Sequence, residues 1–386
     1  MPRIFIIACE PSADAHGAHL VSELKKRRPD FEFSGLGGPA MAAEGVGLLE
    51  DMTRISALGL GDVLRKYFVY RGIFYRALAE VEKMKPDAIV VLDSPAFNLR
   101  FAKKIRKRFP FIYYISPQIW AWGGRRIHTI KRTVSHMITI LPFEEELYRK
   151  AGVPCTFVGH PLLDQIPARY DRPALRAKLG LNDSTRAVGL LAGSREKEVV
   201  RILPPMLESA RLLGKMLPGV RFFVTPSPNV PLELYERILK DSGADAKITD
   251  MPARELVAAV DFALIASGTA TLEAALIGTP FFLMYKASWS TYLLGRQLIR
   301  VKFLGLANLL AGKRVVPEFI QGDIHPQTIA HEAKVLLENP DLYAEMKREF
   351  AAVKDQLGQP GASGRAAETI LRILASCHSE ARGRRI

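Results

Sequence analysis

Short apolar runs alternate with amphipathic segments of helical period from one end of this chain to the other, a pattern that restricts it to βαβ units with parallel sheets. In the first half, Arg3–Ala8, Ala88–Leu92, Ile112–Ile115 and Met137–Ile140 read as buried strands, with helices over Ala15–Lys26, Val69–Met84 and Leu99–Arg108. In the second half, strands Ala187–Leu191, Arg221–Val224, Phe262–Ile265 and Phe281–Met284 alternate with helices Glu196–Met216, Leu232–Lys240 and Thr269–Leu276. The stretch Gly159–Pro173 carries three prolines and breaks the rhythm. After Ile320 the pattern turns helical, over Pro326–Leu337, Pro340–Leu357 and Arg365–Ala375. The expected organisation is a Rossmann-like domain over residues 1–165, a second over 166–330, and C-terminal helices with a basic tail over 331–386. Two such domains are expected to face each other across a cleft. Ligands of open α/β sheets bind at the carboxyl ends of the strands, near the topological switch point, so the residues just after each strand are the ones to inspect.

Composition narrows the class of function. With 48% hydrophobic and 24% charged residues the chain is globular. No apolar run approaches the roughly 20 residues of a membrane-spanning helix. Ile4–Cys9 is too short for a secretory signal and reads as a first strand, so a cytoplasmic protein is expected. Cys9, Cys155 and Cys377 are scattered without a CxxC pair, which argues against a disulfide framework and a structural zinc. No DxD motif or His/Asp cluster stands at metal-ligand spacing, so neither a metal nor a cofactor is expected. A net charge of +14 calls for an anionic partner. Between Arg100 and Arg132 no acid occurs, while ten Lys and Arg residues interleave with Trp120 and Trp122. Nucleic acid, an anionic membrane and a phosphorylated substrate all suit that charge, but no RNA or DNA module accompanies it.

Two strand-to-helix turns in the second half can take an anion. Ala192-Gly193-Ser194-Arg195 follows a buried strand and precedes a long helix, where unsatisfied N–H groups and the dipole favour negative charge. Arg195 can add a charge-assisted bond, or be a surface arginine in a small-residue turn. Ser267-Gly268-Thr269 opens the next helix start in the same way, with Gly278 and Pro280 marking that helix's end. Glu273, one turn inside, is placed to accept the vicinal hydroxyls of a ribose whose phosphates lie on the helix start. The plain alternative is a first-turn acid favoured by the dipole.

Seven stretches occur together and in order: ACEPSADAHGA, VLDSPAFN, YYISPQIWAWGGRRI, ILPFEEELYRKAGVPCTFVGHPL, GLLAGSREKEVVRILPPML, ASGTATLEAALIGTPFFLMYKAS and GLANLLAGKRVVPEFIQ. On these the chain resembles the lipid-A-disaccharide synthases, inverting glycosyltransferases of the GT-B architecture. The resemblance implies two Rossmann-like domains with a helical C-terminal segment. It also implies transfer of 2,3-diacylglucosamine from its UDP conjugate to the 6-hydroxyl of 2,3-diacylglucosamine 1-phosphate, without a metal, at the inner face of the cytoplasmic membrane. It points to Glu10 and Asp93 as the acids of the first-domain turns, to Arg195 and Glu273 as above, and to Asn308 as a further site residue. The chain departs from the family pattern at Cys9, Ala13, Ala96 and Ala192.

For inverting transfer Asp93 is the expected base and Glu10 its competitor. Asp14 reads as a polar cap. His160 reads as either a ligand contact or a residue satisfied by backbone. The membrane element is expected in Leu58–Met84, where Val63, Leu64, Tyr67, Phe68, Ile73 and Phe74 mix with Arg65, Lys66, Arg71 and Arg76; a core-facing amphipathic helix is the alternative. A peptidoglycan-type GlcNAc transferase or a UDP-GlcNAc epimerase shares the same fold. The first usually carries GGxGG loops, which this chain lacks.

Overall fold

The computed structural model describes residues 1–57, 63–299 and 301–383. Its residues divide into two compact units, one of residues 1–164 together with 357–386, the other of residues 165–356.

The first unit is built on seven parallel strands, β1 (Arg3–Ala8), β2 (Glu32–Gly37), β3 (Gly47–Asp51), β4 (Ala88–Leu92), β5 (Phe111–Tyr114), β6 (His136–Thr139) and β7 (Cys155–Phe157), in the order β3-β2-β1-β4-β5-β6-β7. Strand β1 pairs with β2 on one side and with β4 on the other, in register Ile4 with Ala88, which puts the switch point between β1 and β4. Both are buried along nearly their whole length, as expected for parallel strands covered on two faces.

The second unit has six parallel strands, β8 (Ala187–Leu191), β9 (Arg221–Val224), β10 (Ala246–Ile248), β11 (Phe262–Ala266), β12 (Phe281–Tyr285) and β13 (Glu318–Ile320), in the order β10-β9-β8-β11-β12-β13. Its switch point lies between β8 and β11.

The eight strands expected from sequence are present within a residue or so at each end. Strands β2, β3, β7, β10 and β13 were not expected, because three of them span only three residues and β2 is broken by glycines. Gly35 explains the latter: a Cβ there would lie 1.8 Å from the Ile6 carbonyl oxygen of β1, so close approach requires the residue that weakens the strand signal.

The C-terminal helices are shared between the units. Pro326–Glu338 and Pro340–Gln356 contribute Ile329, Ala333 and Phe350 to the second core, whereas Ala362–Gly383 contributes Ala366, Ala367 and Ile370 to the first. That last helix is tied down by Arg365, whose Nε donates to the Val158 carbonyl at 2.8 Å, and by Asp164, which accepts the backbone N–H groups of Gly361 and Ala362.

Candidate active site

In the second unit the loops leaving β8 and β11 diverge at the switch point, and a cavity of about 1340 Å³ opens between them. Gly193, Ser194, Arg195, Ser267, Gly268, Thr269 and Glu273 all line it, so seven of the eight residues singled out for nucleotide binding are brought together. The cavity also takes in Thr225–Pro228 after β9, and Ile248 at the end of β10 with Thr249–Pro252 after it, which sequence reading missed; the Pro-Ser-Pro turn one residue after a buried strand was the available signal.

Two acids hold this wall in shape. Glu198 accepts the Ser194 N–H at 3.0 Å and the Arg195 guanidinium at 2.8 Å, closing the loop around Gly193. Gly193 has φ 105°, and a Cβ there would sit 2.5 Å from Glu198 Oε2, so only glycine lets the carboxylate reach across. Glu273 accepts from Arg254 at 2.8 Å, and the same guanidinium nitrogen reaches Gln165 at 2.9 Å. Gly268, in extended backbone, begins the helix Thr269–Ile277, and a Cβ there would meet open space. The wall therefore offers helix-start N–H groups, one exposed guanidinium and one positioned carboxylate to a ligand carrying phosphate and hydroxyls.

The eighth residue lies elsewhere. Asn308 is fully buried; its amide donates to the Val316 carbonyl and Glu318 at 2.8 Å each, and its oxygen accepts the N–H groups of Val315 and Val316. It fastens the turn before β13 and does not line the cavity.

In the first unit the switch point carries Glu10 after β1 and Asp93 after β4. Glu10 is exposed at the start of the helix Pro11–Arg27. Asp93 and Ser94 both adopt left-handed backbone, φ 46° and 42°, immediately before Pro95. Such consecutive non-glycine residues cost about 1–3 kcal/mol each and persist only where surroundings enforce them. Here Asn98 donates to the carbonyls of Leu92 and Asp93 at 3.0 and 2.7 Å, and the Tyr113 hydroxyl donates to the Asp93 carbonyl as well. Burial pushes the Asp93 carboxyl above its ordinary value, partly offset by the Ser94 N–H. A raised carboxyl is the stronger base once ionised.

Burial also pushes the Cys9 thiol up to about 12, with Glu10 and Asp93 adding to the rise, so these three groups share one neighbourhood. Tyr70, from the long helix Val63–Met84, joins them; burial raises it first, then Cys9 and Glu10. Neither Tyr70 nor Asn98 was singled out from sequence.

Asp14 accepts the backbone N–H groups of Gly38, Ala40 and Met41 at 2.7–3.2 Å and so caps the turn after β2. His160 is buried, its Nδ1 accepts the Leu162 N–H at 3.2 Å, and burial followed by nearby His16 lowers it to about 4. The Trp-rich turn after β5 is held by Glu144: Ser116 Oγ and Trp120 Nε1 donate to one carboxylate oxygen at 2.6 and 3.0 Å, the Leu141 and Ile140 N–H groups to the other.

Of the six residues expected to face a membrane, the side chains of Val63, Leu64 and Tyr67 lie outside the described residues, as does the backbone of 58–62. Phe68 is 63% exposed, beside exposed Val69, Arg71, Tyr75 and Arg76. Ile73 and Phe74 turn the other way and correct the expectation. Ile73 is 2% exposed, and Phe74 packs edge-on against Phe97 and Phe101, because these positions fall on the helix face that covers the sheet. No described helix is long and apolar enough to cross a membrane.

A family model described as lipid-A-disaccharide synthetase matches residues 4–372. Lipid-A-disaccharide synthase of Myxococcus xanthus (strain DK1622) is 41% identical over 374 residues, covering 97% of this chain and 98% of that protein. Lipid-A-disaccharide synthase 1 of Legionella pneumophila (strain Lens) is 40% identical over 357 residues, covering 92% and 93%. Among solved structures, UDP-GlcNAc 2-epimerase from Neisseria meningitidis bound to UDP-GlcNAc aligns with TM-score 0.65 at 14% identity, over 96% of this chain and 100% of that one. CalG4, the calicheamicin glycosyltransferase, aligns with TM-score 0.60 at 13% identity, over 97% and 98%. The structural likenesses fix the fold as GT-B, with its two parallel sheets. The sequence likenesses fix more: the chain belongs to the lipid-A-disaccharide synthetase family and is a glycosyltransferase.

Proposed function

We propose that this glycosyltransferase transfers 2,3-diacylglucosamine from its UDP conjugate to the 6-hydroxyl of 2,3-diacylglucosamine 1-phosphate, releasing UDP and forming a β-1,6-linked disaccharide of lipid A biosynthesis. The observation that carries the reading is the cavity at the second switch point, where two helix starts and Arg195 stand ready for a diphosphate and Glu273 for a ribose. Asp93 takes the proton of the acceptor hydroxyl as that oxygen attacks C1 of the donor. The bond from C1 to the diphosphate oxygen breaks, and inversion gives the β linkage. Charge growing on the leaving diphosphate is met by the Gly193–Arg195 and Ser267–Thr269 walls. Glu10, beside Cys9 and Tyr70, is the second acid at the acceptor side. No metal is assigned a role.

Both substrates carry two acyl chains, so the enzyme works as a peripheral protein on the inner face of the cytoplasmic membrane. Exposed Phe68, Val69 and Tyr75 enter the interface while Arg71 and Arg76 meet anionic head groups. Phe68→Ser should weaken vesicle binding at unchanged thermal stability. Unchanged binding would remove this helix from the membrane contact.

An epimerase or another UDP-GlcNAc transferase shares the fold, but those neighbours stand at 12–14% identity, against 41% for the family relatives. The deciding assay supplies both diacylglucosamine substrates in detergent micelles, without added metal. UDP together with the tetraacyl disaccharide phosphate is expected. No product here, with turnover of another UDP-sugar, would overturn the reading.

A further inference from the structure

Between Glu273 and Glu318 the chain has no acidic residue, yet it carries Lys286, Arg296, Arg300, Lys302, Lys313 and Arg314. Within this stretch the chain leaves the carboxyl edge of β12, forms the helix Trp289–Leu298, and returns through residues 301–305 before β13. Three of its large apolar side chains stand in solvent: Trp289 is 66% exposed, Leu293 55% and Ile299 41%. Trp289 and Leu293 are one helical turn apart and share a face, and exposed Arg296 follows Leu293 on that face at the next i+3 position. Lys302, also exposed, stands 5.3 Å from the centre of the Phe303 ring.

The excursion is held at both of its ends by residues at the two ends of one strand, β13: Glu318 opens it and Gln321 follows it. Gln321 pairs with Ala287 in both directions, accepting its N–H and donating to its carbonyl at 3.0 Å each. Glu318 accepts the N–H groups of Leu304 and Gly305 at 2.9 Å each, and Asn308 braces Glu318. A segment fixed at both feet keeps its apolar face outward at a standing cost in water. The nucleotide cavity opens at the carboxyl edge of the same sheet, through the loop leaving the adjacent strand β11.

We infer that Trp289, Leu293 and Ile299, with Arg296 and Lys302, form a second membrane-docking platform, carried by the nucleotide-binding unit and fitted to an anionic lipid surface. Tryptophan and leucine enter the interface, where an indole is at home, and the cations meet the head groups. The absence of any acid across the whole stretch selects a negatively charged surface over a neutral apolar partner or a second copy of this equally basic chain. The inference rests on the reading of the donor as an acylated sugar: a donor whose chains stay in the bilayer requires the unit that holds its nucleotide to meet that bilayer itself.

The test uses the full chain and vesicles of phosphatidylcholine, with and without phosphatidylglycerol, in the absence of substrate. Trp289→Ser combined with Leu293→Ser should lower partition onto the anionic vesicles about tenfold, with thermal unfolding and UDP affinity unchanged; Trp289→Phe combined with Leu293→Ile should restore it. Arg296→Gln combined with Lys302→Gln should flatten the dependence on phosphatidylglycerol. The platform is overturned if the serine pair binds like wild type while Phe68→Ser does not, or if the serine pair abolishes self-association in ultracentrifugation and leaves vesicle binding intact. UDP release from both substrates in micelles judges the transfer reaction separately, since no bilayer is present there.

Discussion

At the scale of single residues, Asp93 combines left-handed backbone with a half-buried carboxyl, and the carboxyl makes a test. The carboxyl is raised above its ordinary value by burial, so the unfolded chain ionises first as pH rises. The ionised side chain then lowers the stability of the fold at neutral pH. Asp93→Asn should therefore leave the melting temperature unchanged or higher while kcat falls by about 10²- to 10⁴-fold, the worth of a general base. UDP affinity by calorimetry should stay the same. Wild-type turnover should fall on acidification through that raised pKa, as the base becomes protonated. Asn308 makes the opposite case. Resemblance marked it as a site residue; three of its hydrogen bonds go to the turn before β13 and the fourth to Glu318, the first residue of that strand. Asn308→Ala should cost about 1–3 kcal/mol in urea unfolding, the price of buried groups left unpaired, and should leave UDP affinity in the folded protein untouched.

At the scale of elements, Glu144 joins two loops at the carboxyl edge of the first sheet, and burial pushes its carboxyl up from 4.5 to about 7. The unfolded chain loses this proton near 4.5 and the folded one near 7, so stability falls as pH rises across that window, by at most about 3 kcal/mol. Glu144→Gln should flatten that part of the stability profile, measured by urea unfolding at several pH values between the two limits. A profile as steep as wild type would assign the slope to another group. These elements also show what sequence can and cannot reveal. The strands Ala187–Leu191 and Phe262–Ala266 are continuous apolar runs followed by glycine-bearing turns, so both the sheet and the residues that line its cavity were legible. Glu198, Arg254 and Tyr70 were not, because their roles depend on which side chains tertiary packing brings within reach. Ile73 and Phe74 misled for a related reason. Their helix carries apolar residues on both faces, and only the packing of Phe97 and Phe101 tells which face is inside.

At the scale of the molecule, the two units are unequal in autonomy. The second is continuous in sequence, has its own sheet and core, and contains every residue lining the cavity at its switch point, from Leu191 to Glu273, along with Gln165, which braces Arg254. The first is discontinuous and depends on the helix Ala362–Gly383, whose Ala366, Ala367, Ile370 and Leu374 sit in its core. A domain with a complete core folds alone, whereas one stripped of a buried helix face loses a large part of its apolar burial. Residues 165–356 expressed alone should unfold in one cooperative transition and bind UDP within about threefold of the full chain, since every residue that lines the cavity is kept. Truncation after Gln356 should keep that transition and that affinity, and should lose or sharply lower the transition of the first unit in calorimetry. A fragment that folds cooperatively yet fails to bind UDP would place an essential nucleotide contact in the first unit, and with it refute the assignment of donor binding to the second switch point alone.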